Sequence, residues 1–377
     1  MISTGYGRMK RVGIVTMPRA LSYGAILQSY ALHRTIVEMG YECELIDYIY
    51  PNAFHLASKF QTTAVWKKKL RSLVSSLCLT EKLYDSRIRR FNEFLENYIP
   101  FTDKAFMSFE ELQAAPPLYD VYITGSDQVW NPNFILDDPC FFLRFAPNNS
   151  RRVAYAASFA VSRIPSKFHG QYSRYLHDID ILSVREDTGV ALVKQLTGRS
   201  CDLVLDPSLL VHANGWGEIS APFSYDGPYL VCYCLGGFPY VRNLCRHIAK
   251  ITGYSIVHVW PQPYERLKRS MYSIFDAGPS EFIGIFQNAS FVVTNSYHGM
   301  AFAIDFGKPF FSVVQRGIAF DSRQESLLRL FRLEERGLES GDPFPSEEQL
   351  HMDYDLVEAV LVEKRRESLS FLRKALG

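Results

Sequence analysis

The stretch Val12-Gly-Ile-Val-Thr16 and the later run Tyr41-Glu-Cys-Glu-Leu-Ile-Asp47 decide the fold of this chain. Both are short and rich in apolar and β-branched residues, which is typical of buried strands. Between them, residues 25–39 carry apolar side chains at helical spacing, and Gly40 is a good stop for a helix. This order predicts a strand, a helix and a second, parallel strand, which together form a βαβ unit.

The same alternation recurs in two series along the chain. Further strands are predicted at residues 118–124, 153–159, 179–184 and 204–205 in the first series, and at 229–235, 255–260, 291–294 and 310–314 in the second. Two such series predict the α/β class, with two Rossmann-like, doubly wound domains at residues 9–215 and 225–350. Ligands of such folds bind beyond the carboxyl ends of the strands, so a central cleft between the domains is the expected site.

Two segments do not follow this alternation. Residues 50–115 indicate a helical insertion in the first domain, with its clearest helices at 66–77 and 87–98. Residues 351–377 predict an amphipathic C-terminal helix that could pack back on the N-terminal domain.

Composition limits the class of protein. The 377 residues suffice for two domains, and the net charge of +1 gives no overall attraction to nucleic acid. The seven cysteines are odd in number and scattered, which argues against a disulfide framework. No apolar run reaches the roughly 18 residues that a membrane span needs, and Pro18 ends the first apolar run too early for a signal peptide. We therefore expect a cytoplasmic protein.

The strongest chemical signal is Thr294-Asn-Ser-Tyr-His-Gly299, where a predicted strand ends and a helix begins. A helix start presents free N–H groups and the positive end of the helix dipole, and so suits a phosphate or a carboxylate. Ser296, His298 and Gly299 are therefore candidate binding residues, and His298 can also donate a proton. The alternative is an ordinary helix cap with an incidental histidine.

A second signal is Arg185 in Leu182-Ser-Val-Arg-Glu186, at the end of an apolar strand. A guanidinium at this rim could hold phosphate or carboxylate with two parallel hydrogen bonds. The alternative is a surface ion pair with Glu186 or Asp187, which would stabilise little.

A third signal is Gly125-Ser-Asp-Gln-Val-Trp-Asn-Pro132. Asp127, Gln128 and Asn131 could hydrogen-bond sugar hydroxyls, Trp130 could stack on a sugar ring, and Asp127 could act as a base. Gly24, in the parallel turn of the first unit, is placed with them on the acceptor side; that turn lacks the GxGxxG pattern of nicotinamide-binding proteins. The alternative is a turn that Ser126 or Asp127 simply caps.

Two further features concern charge and metals. Residues 55–100 contain nine basic and four acidic residues, and Trp66-Lys-Lys-Lys-Leu70 is amphipathic. This suits peripheral contact with an anionic membrane surface, and a solvated helix face is the alternative. The chain lacks HExxH and any cysteine pair at zinc spacing, so we expect no metal site.

These motifs together resemble the polysaccharide pyruvyl transferase family. The matching stretches, in the order of the family, are Ser22–Leu32, Gly125–Pro132, Ala154–Ser158, Ser183–Glu186, Leu205–Pro207 and Thr294–Gly299. The resemblance implies a fold like the GT-B glycosyltransferases, with two Rossmann-like domains facing a cleft. It implies phosphoenolpyruvate as co-substrate, no cofactor, and ketal formation on a sugar in bacterial surface polysaccharide synthesis.

The resemblance also assigns residues. The family's functional arginine and histidine correspond to Arg185 and His298, and a basic residue after the following strand corresponds most nearly to Arg316, at a different spacing. In the implied mechanism His298 is the acid that protonates the donor, Arg185 holds the donor anion, and Asp127 is a candidate base. The acceptor is expected to be a lipid-linked oligosaccharide, held at the inner face of the membrane.

Two alternatives stay open. One is a GT-B-type glycosyltransferase that uses a nucleotide sugar, and the other is a non-catalytic binding protein of a polysaccharide gene cluster. Turnover of phosphoenolpyruvate against nucleotide sugars distinguishes the first, and release of phosphate distinguishes the second.

Overall fold

The chain forms two sheets of parallel strands, each flanked by helices. The structure, a computed structural model, describes residues 8–50, 80–236, 239–260, 271–314 and 322–377. Within these residues there are two six-stranded sheets, in the orders β2-β1-β3-β4-β5-β6 and β12-β11-β10-β7-β8-β9. The strands are short apolar runs, because both faces of such a sheet are covered by helices and loops.

The N-terminal half contains the first sheet. Its strands are β1 (Arg11–Val15), β2 (Glu42–Leu45), β3 (Val121–Thr124), β4 (Arg151–Ala157), β5 (Ile181–Val184) and β6 (Asp202–Leu203). Its helices are α1 (Tyr23–Glu38), α2 (Thr80–Tyr98), α3 (Phe109–Ala114), α4 (Ser166–His177), α5 (Asp187–Thr197) and α6 (Ala213–Trp216), with 3-10 turns at Pro139–Phe142 and Pro207–Leu209.

The C-terminal half contains the second sheet. Its strands are β7 (Tyr229–Tyr233), β8 (Ser255–Val259), β9 (Tyr272–Ile274), β10 (Phe291–Thr294), β11 (Phe310–Val314) and β12 (Gly337–Glu339). Its helices are α7 (Pro239–Thr252), α8 (Pro279–Gln287), α9 (Tyr297–Asp305), α10 (Ser322–Phe331), α11 (Glu347–Leu350) and α12 (Asp355–Leu376), with a 3-10 turn at Glu334–Arg336.

Each sheet reverses its winding direction once. In the first sheet the reversal lies between β1 and β3, and in the second between β7 and β10. Ligands of open α/β sheets bind at such points, beyond the carboxyl ends of the strands. The chain leaves β1 toward α1 and leaves β10 toward α9, so the starts of these two helices mark the two expected binding positions.

The insertion predicted over residues 50–115 is described only from Thr80 onward. The predicted helix at 66–77 lies outside the described residues, whereas the one at 87–98 is part of the longer helix α2. Arg90 on α2 forms ion pairs with Asp276 and Glu281, at 3.4 Å each. Helix α2 therefore docks against the C-terminal half, beside α8.

The two halves share one apolar cluster. Trp216 is fully buried, with its ring 5.9 Å from that of Tyr30 and 5.2 Å from that of Phe302. These three residues come from α6, α1 and α9, and so join the two halves. Helix α12 also packs against the first half, where the Ser368 hydroxyl accepts a hydrogen bond from Leu205 N at 2.9 Å. In the ranges that the structure describes, no helix is long and apolar enough to cross a membrane.

Candidate active site

His298 is the second residue of α9, at the carboxyl edge of the second sheet. Ser296 is the N-cap of this helix, and its hydroxyl accepts a hydrogen bond from Gly299 N at 3.4 Å. The first turn of α9 carries no acidic side chain, so no residue of this turn neutralises the positive end of the helix dipole. The His298 side chain itself is only 7% exposed.

His298 lies directly against the start of α1. A Cβ atom added at Gly24, the second residue of α1, would lie 2.0 Å from His298 Nδ1 and 2.3 Å from its Cγ. The N-cap of α1, Ser22, makes no side-chain capping bond, and the first turn of α1 contains no acidic residue. Two positive helix ends, one from each half, therefore converge on the same imidazole.

This contact assigns Gly24 a different role from the predicted one. We expected Gly24 on the acceptor side, but its Cα is covered by the His298 ring. Gly299, expected to admit a ligand close to the backbone, faces the protein as well. A Cβ there would lie 2.4 Å from Thr294 Oγ1 and 2.9 Å from Tyr233 Cδ1. Both glycines therefore permit close packing of protein groups.

Asp206 is the carboxylate nearest to His298. Its Oδ2 lies 3.7 Å from His298 Nε2, which is a separation for charge attraction rather than for a hydrogen bond. The same oxygen accepts hydrogen bonds from Ser126 Oγ at 2.9 Å and from Arg185 Nη1 at 2.6 Å. Burial opposes ionisation of Asp206, but His298 and Arg185 outweigh burial and hold the pKa of this carboxyl well below its usual range.

Arg185 follows β5, as predicted, but its side chain is fully buried and engaged. Nη1 donates to Asp206, and Nη2 donates to Asp127 Oδ1 at 3.0 Å. The Tyr297 ring covers one face of the guanidinium, with its centroid 4.6 Å away. Burial alone lowers the pKa of Arg185, but Asp206 and Asp127 outweigh it and raise the pKa. The expectation that Arg185 clamps the donor directly does not fit this geometry, because two carboxylates already occupy its terminal nitrogens.

Asp127 is the acidic residue of this network with some access to the cleft. Its side chain is 12% exposed, and only Oδ1 is paired with Arg185. Its backbone adopts a positive φ of 69°, which is uncommon for a residue other than glycine. This conformation turns the loop after β3 back on β4, where Ser158 N donates to Asp127 O at 2.9 Å.

The remaining predicted acceptor residues do not line the cleft as expected. Trp130 is fully buried, stacks on Phe142 at 5.8 Å and donates from Nε1 to Phe141 O at 3.1 Å. It cannot stack on a sugar in this position, so that prediction is wrong. Asn131 is also fully buried and donates to Gln128 Oε1 at 2.7 Å. This pair stabilises the turn by a contact that neither interpretation of the motif predicted, while Gln128 stays partly exposed.

A basic residue that the sequence analysis missed lies beside this network. Arg323, in the first turn of α10, has its guanidinium carbon 6.0 Å from the centroid of the Tyr297 ring. Burial lowers the pKa of Arg323 and so does the positive charge of Arg185, while Asp127 and Glu186 act in the opposite direction. Arg316, the residue proposed from the family pattern, lies outside the described residues. The sequence contains one signal for Arg323, namely a basic residue near the start of the helix that follows β11.

Side chains that bind metal ions do not cluster in the described part of the chain. No group of three or more histidine, cysteine, aspartate or glutamate side chains there could hold a metal ion. The acidic residues of the site are instead bonded to Arg185, to Ser126 and to backbone N–H groups.

The chain is similar in structure to several solved proteins of low sequence identity. The S. aureus MnaA–UDP co-structure matches with a TM-score of 0.50 and 11% identity, over 96% of this chain and 91% of that chain. The UDP-GlcNAc 2-epimerase of Methanocaldococcus jannaschii matches at 0.46 and 12%, over 94% and 93%. The E. coli heptosyltransferase WaaC matches at 0.40 and 13%, over 94% and 99%. Together with the two parallel sheets, the first match confirms the predicted GT-B-like fold and, at this identity, nothing beyond the fold.

The sequence comparisons give the family. No curated protein matches the chain. The family model of the polysaccharide pyruvyl transferases, in contrast, matches residues 23–315. That span begins at the first residue of α1, includes Arg185, Asp206 and His298, and covers well over half of the sequence. The chain therefore belongs to the polysaccharide pyruvyl transferase family.

Proposed function

We propose that this enzyme transfers the pyruvyl group of phosphoenolpyruvate to two hydroxyl groups of one sugar and so forms a cyclic ketal. One observation carries the proposal: the starts of α1 and α9 converge on His298 next to the Arg185 network. Phosphoenolpyruvate is a small multivalent anion whose activation requires a proton on carbon. A proton donor between two positive helix ends matches both requirements.

The donor anion is held by the helix ends and by Arg323. The first N–H groups of α1 and α9 provide hydrogen-bond donors and positive potential. Arg323 adds a guanidinium from the C-terminal half, and the burial that lowers its pKa also strengthens its attraction to a bound anion. Binding of the anion favours the protonated form of His298, so the substrate helps to create its own acid.

The reaction begins when His298 donates its proton to the methylene carbon of phosphoenolpyruvate. The adjacent carbon becomes electrophilic, and a sugar hydroxyl attacks it while losing its proton to a base. The bond from this carbon to the phosphate oxygen then breaks, and phosphate leaves with the bonding electrons. A second hydroxyl of the same sugar attacks the same carbon and closes the ketal. Of the two hydroxyl protons released, one restores His298 and the other leaves on phosphate.

The residues around His298 have distinct roles in this scheme. Asp206, whose pKa is held low, places a carboxylate 3.7 Å from His298 Nε2 and orients the imidazole. Arg185 is a positioning residue, because it fixes Asp206 and Asp127 at 2.6 and 3.0 Å. Asp127 is the candidate base, since it keeps one carboxylate oxygen that does not pair with Arg185 and some exposure to the cleft.

The acceptor is proposed to be a sugar linked to a lipid carrier during polysaccharide synthesis. The proposed membrane contact through residues 55–100 falls mostly outside the described residues. In the described part of this stretch, Arg90 is paired with acidic groups and Arg87 is fully buried, so neither is available to a membrane surface.

The test is release of phosphate from phosphoenolpyruvate by the purified enzyme in the presence of candidate sugar acceptors. The product should gain the mass of one pyruvic acid less one water, and phosphate should appear in equal amount. Transfer of a sugar from a nucleotide sugar, with no turnover of phosphoenolpyruvate, would refute the proposal and favour a glycosyltransferase.

A further inference from the structure

Arg87, on α2, is a fully buried arginine with no hydrogen-bond acceptor among the residues that the structure describes. Its side chain is 0% exposed, and Nε, Nη1 and Nη2 are all buried without a hydrogen-bond partner. Burying a charged group without a partner costs several kcal/mol, and natural proteins rarely retain one without a function. The buried guanidinium is therefore suited to bind an anion.

The surroundings of Arg87 are mainly aromatic, and the Tyr23 hydroxyl is a polar neighbour. The Trp260 ring lies over the guanidinium at 3.6 Å, and the rings of Tyr23 and Phe91 lie at 4.9 and 5.1 Å. Aromatic rings bind the flat faces of a guanidinium, whereas its N–H groups point outward in its plane. The neighbouring Tyr23 hydroxyl donates to Ala277 O at 2.7 Å.

The nearest acidic groups are committed elsewhere. Burial raises the pKa of Tyr23 to about 12; Glu281 and Asp276 add to this rise, whereas Arg87 opposes it. Both acidic residues form ion pairs with Arg90, which lies one turn farther along α2. Arg90 thus joins α2 to the C-terminal half, whereas Arg87 has no hydrogen-bonded acidic partner in the ranges that the structure describes.

Arg87 belongs to the same cleft as His298 but lies on the other side of Tyr23. Trp260 directly follows β8, at the carboxyl edge of the second sheet, and holds a strained backbone with φ of 56°. Tyr23 precedes Gly24, which contacts His298. The Tyr23 ring also lies 5.8 Å from that of Tyr233, at the end of β7. Tyr23 therefore links Arg87 to the His298 site, since its ring contacts the Arg87 guanidinium and its neighbour Gly24 contacts His298.

We propose that Arg87 and Trp260 form a second anion subsite, which binds a phosphate or diphosphate group of the acceptor. A phosphate presents oxygens at the spacing of two guanidinium N–H groups, so both partners would be satisfied by one bidentate contact. The separation of Arg87 from the His298 and Arg323 region assigns this phosphate to the acceptor and not to phosphoenolpyruvate. That assignment rests on the proposed function, whereas the presence of an anion subsite does not.

Binding of inorganic diphosphate tests the subsite without any turnover. Saturating diphosphate should raise the melting temperature of the wild type by a few degrees, on the order of 2–4 °C. Arg87→Met should reduce this shift to the part that binding at the helix ends and Arg323 contributes, and Arg89→Met, which removes an exposed charge from the same helix, should keep it in full. Arg87→Lys is the second variant if Arg87→Met does not fold, and it should weaken the shift because lysine lacks the planar fork. An equal shift in all variants would overturn the proposal.

Two further measurements separate the acceptor from the donor. Phosphoenolpyruvate should stabilise Arg87→Met as well as it stabilises the wild type, and loss of that effect would place Arg87 in the donor site. With pyruvyl transfer as readout, kcat/KM for a sugar diphosphate acceptor should fall about 10- to 100-fold in Arg87→Met, and that for the same sugar without phosphate should not. If no pyruvyl transfer occurs at all, the diphosphate shift still decides whether the subsite exists.

Discussion

Replacement of Gly24 by alanine tests the contact between α1 and His298. The added methyl carbon would lie 2.0 Å from His298 Nδ1, whereas ordinary van der Waals contact begins at 3.4 Å. The imidazole must therefore move by more than about 1 Å, a displacement that typically lowers the rate of an enzyme about 10²-fold. We expect kcat for pyruvyl transfer to fall by about this factor in Gly24→Ala.

Stability should change much less than activity in this variant. Alanine favours a helix by about 1 kcal/mol relative to glycine, while overpacking typically costs about 1–3 kcal/mol. The free energy of unfolding should therefore fall by no more than about 2 kcal/mol, measured by urea denaturation. Gly170→Ala is the matched control, because Gly170 lies in α4 and an added Cβ would meet nothing within 4 Å. It should be slightly stabilised and fully active.

The His298→Ala variant provides a second test of the contact at Gly24. In His298→Ala the obstructing ring is absent, so a further Gly24→Ala substitution should cause no additional loss of activity and should stabilise the helix. The reasoning would be refuted if Gly24→Ala kept normal kcat, or if it lowered the stability of the His298→Ala protein as much as that of the wild type.

Four other substitutions test the remaining groups of the site. His298→Gln should lower kcat at least about 10²-fold with little loss of folding, as measured by phosphate release and circular dichroism. Arg185→Lys should lower kcat and also weaken the structure, because lysine cannot bridge two carboxylates; a fully active variant would remove Arg185 from the network. Arg323→Met should raise KM for phosphoenolpyruvate by about 10-fold or more, while the exposed Arg329→Met on the same helix should not. Because the pKa of Asp206 is lower in the folded than in the unfolded protein, the ionised carboxylate stabilises the folded state above about pH 4, and this contribution is lost as the pH falls further. The urea midpoint of the wild type should therefore fall more steeply below about pH 4 than that of Asp206→Asn.

Much of the fold was predictable, because its signals are local in the sequence. The short apolar runs predicted most strands of both sheets, and the glycine after α1 predicted the end of that helix, with boundaries displaced by a few residues. The helices α4, α5 and α10 were not predicted. The short edge strands β9 and β12 were not predicted, since three residues of mixed polarity carry no clear alternation. The start of α9 was found from Ser296 because an N-cap is also a local signal.

The site was less predictable, because its contacts join distant segments. Asp206 was recognised only as part of a matching stretch, although it is the residue that connects Arg185 with His298. The role of Trp130 was missed because an aromatic residue in a loop suits both a sugar site and a core. The positive φ of Asp127 turns the loop inward and so favours the core position of Trp130. Residue type alone does not reveal this backbone conformation. The fully buried position of Arg87 likewise depends on the packing of α2 against the C-terminal half.

The placement of Trp216 between Tyr30 and Phe302 has a consequence for how the chain unfolds. Phe302 lies one turn beyond His298 on α9, so the apolar contacts that join the halves also hold the acid in place. The halves should then melt in one cooperative transition, and neither should be soluble when expressed alone. A cavity made by Trp216→Ala, far from any substrate, would lower the melting temperature and the turnover number together. A substitution at this contact between the two halves would therefore lower the turnover number much as loss of a catalytic group does.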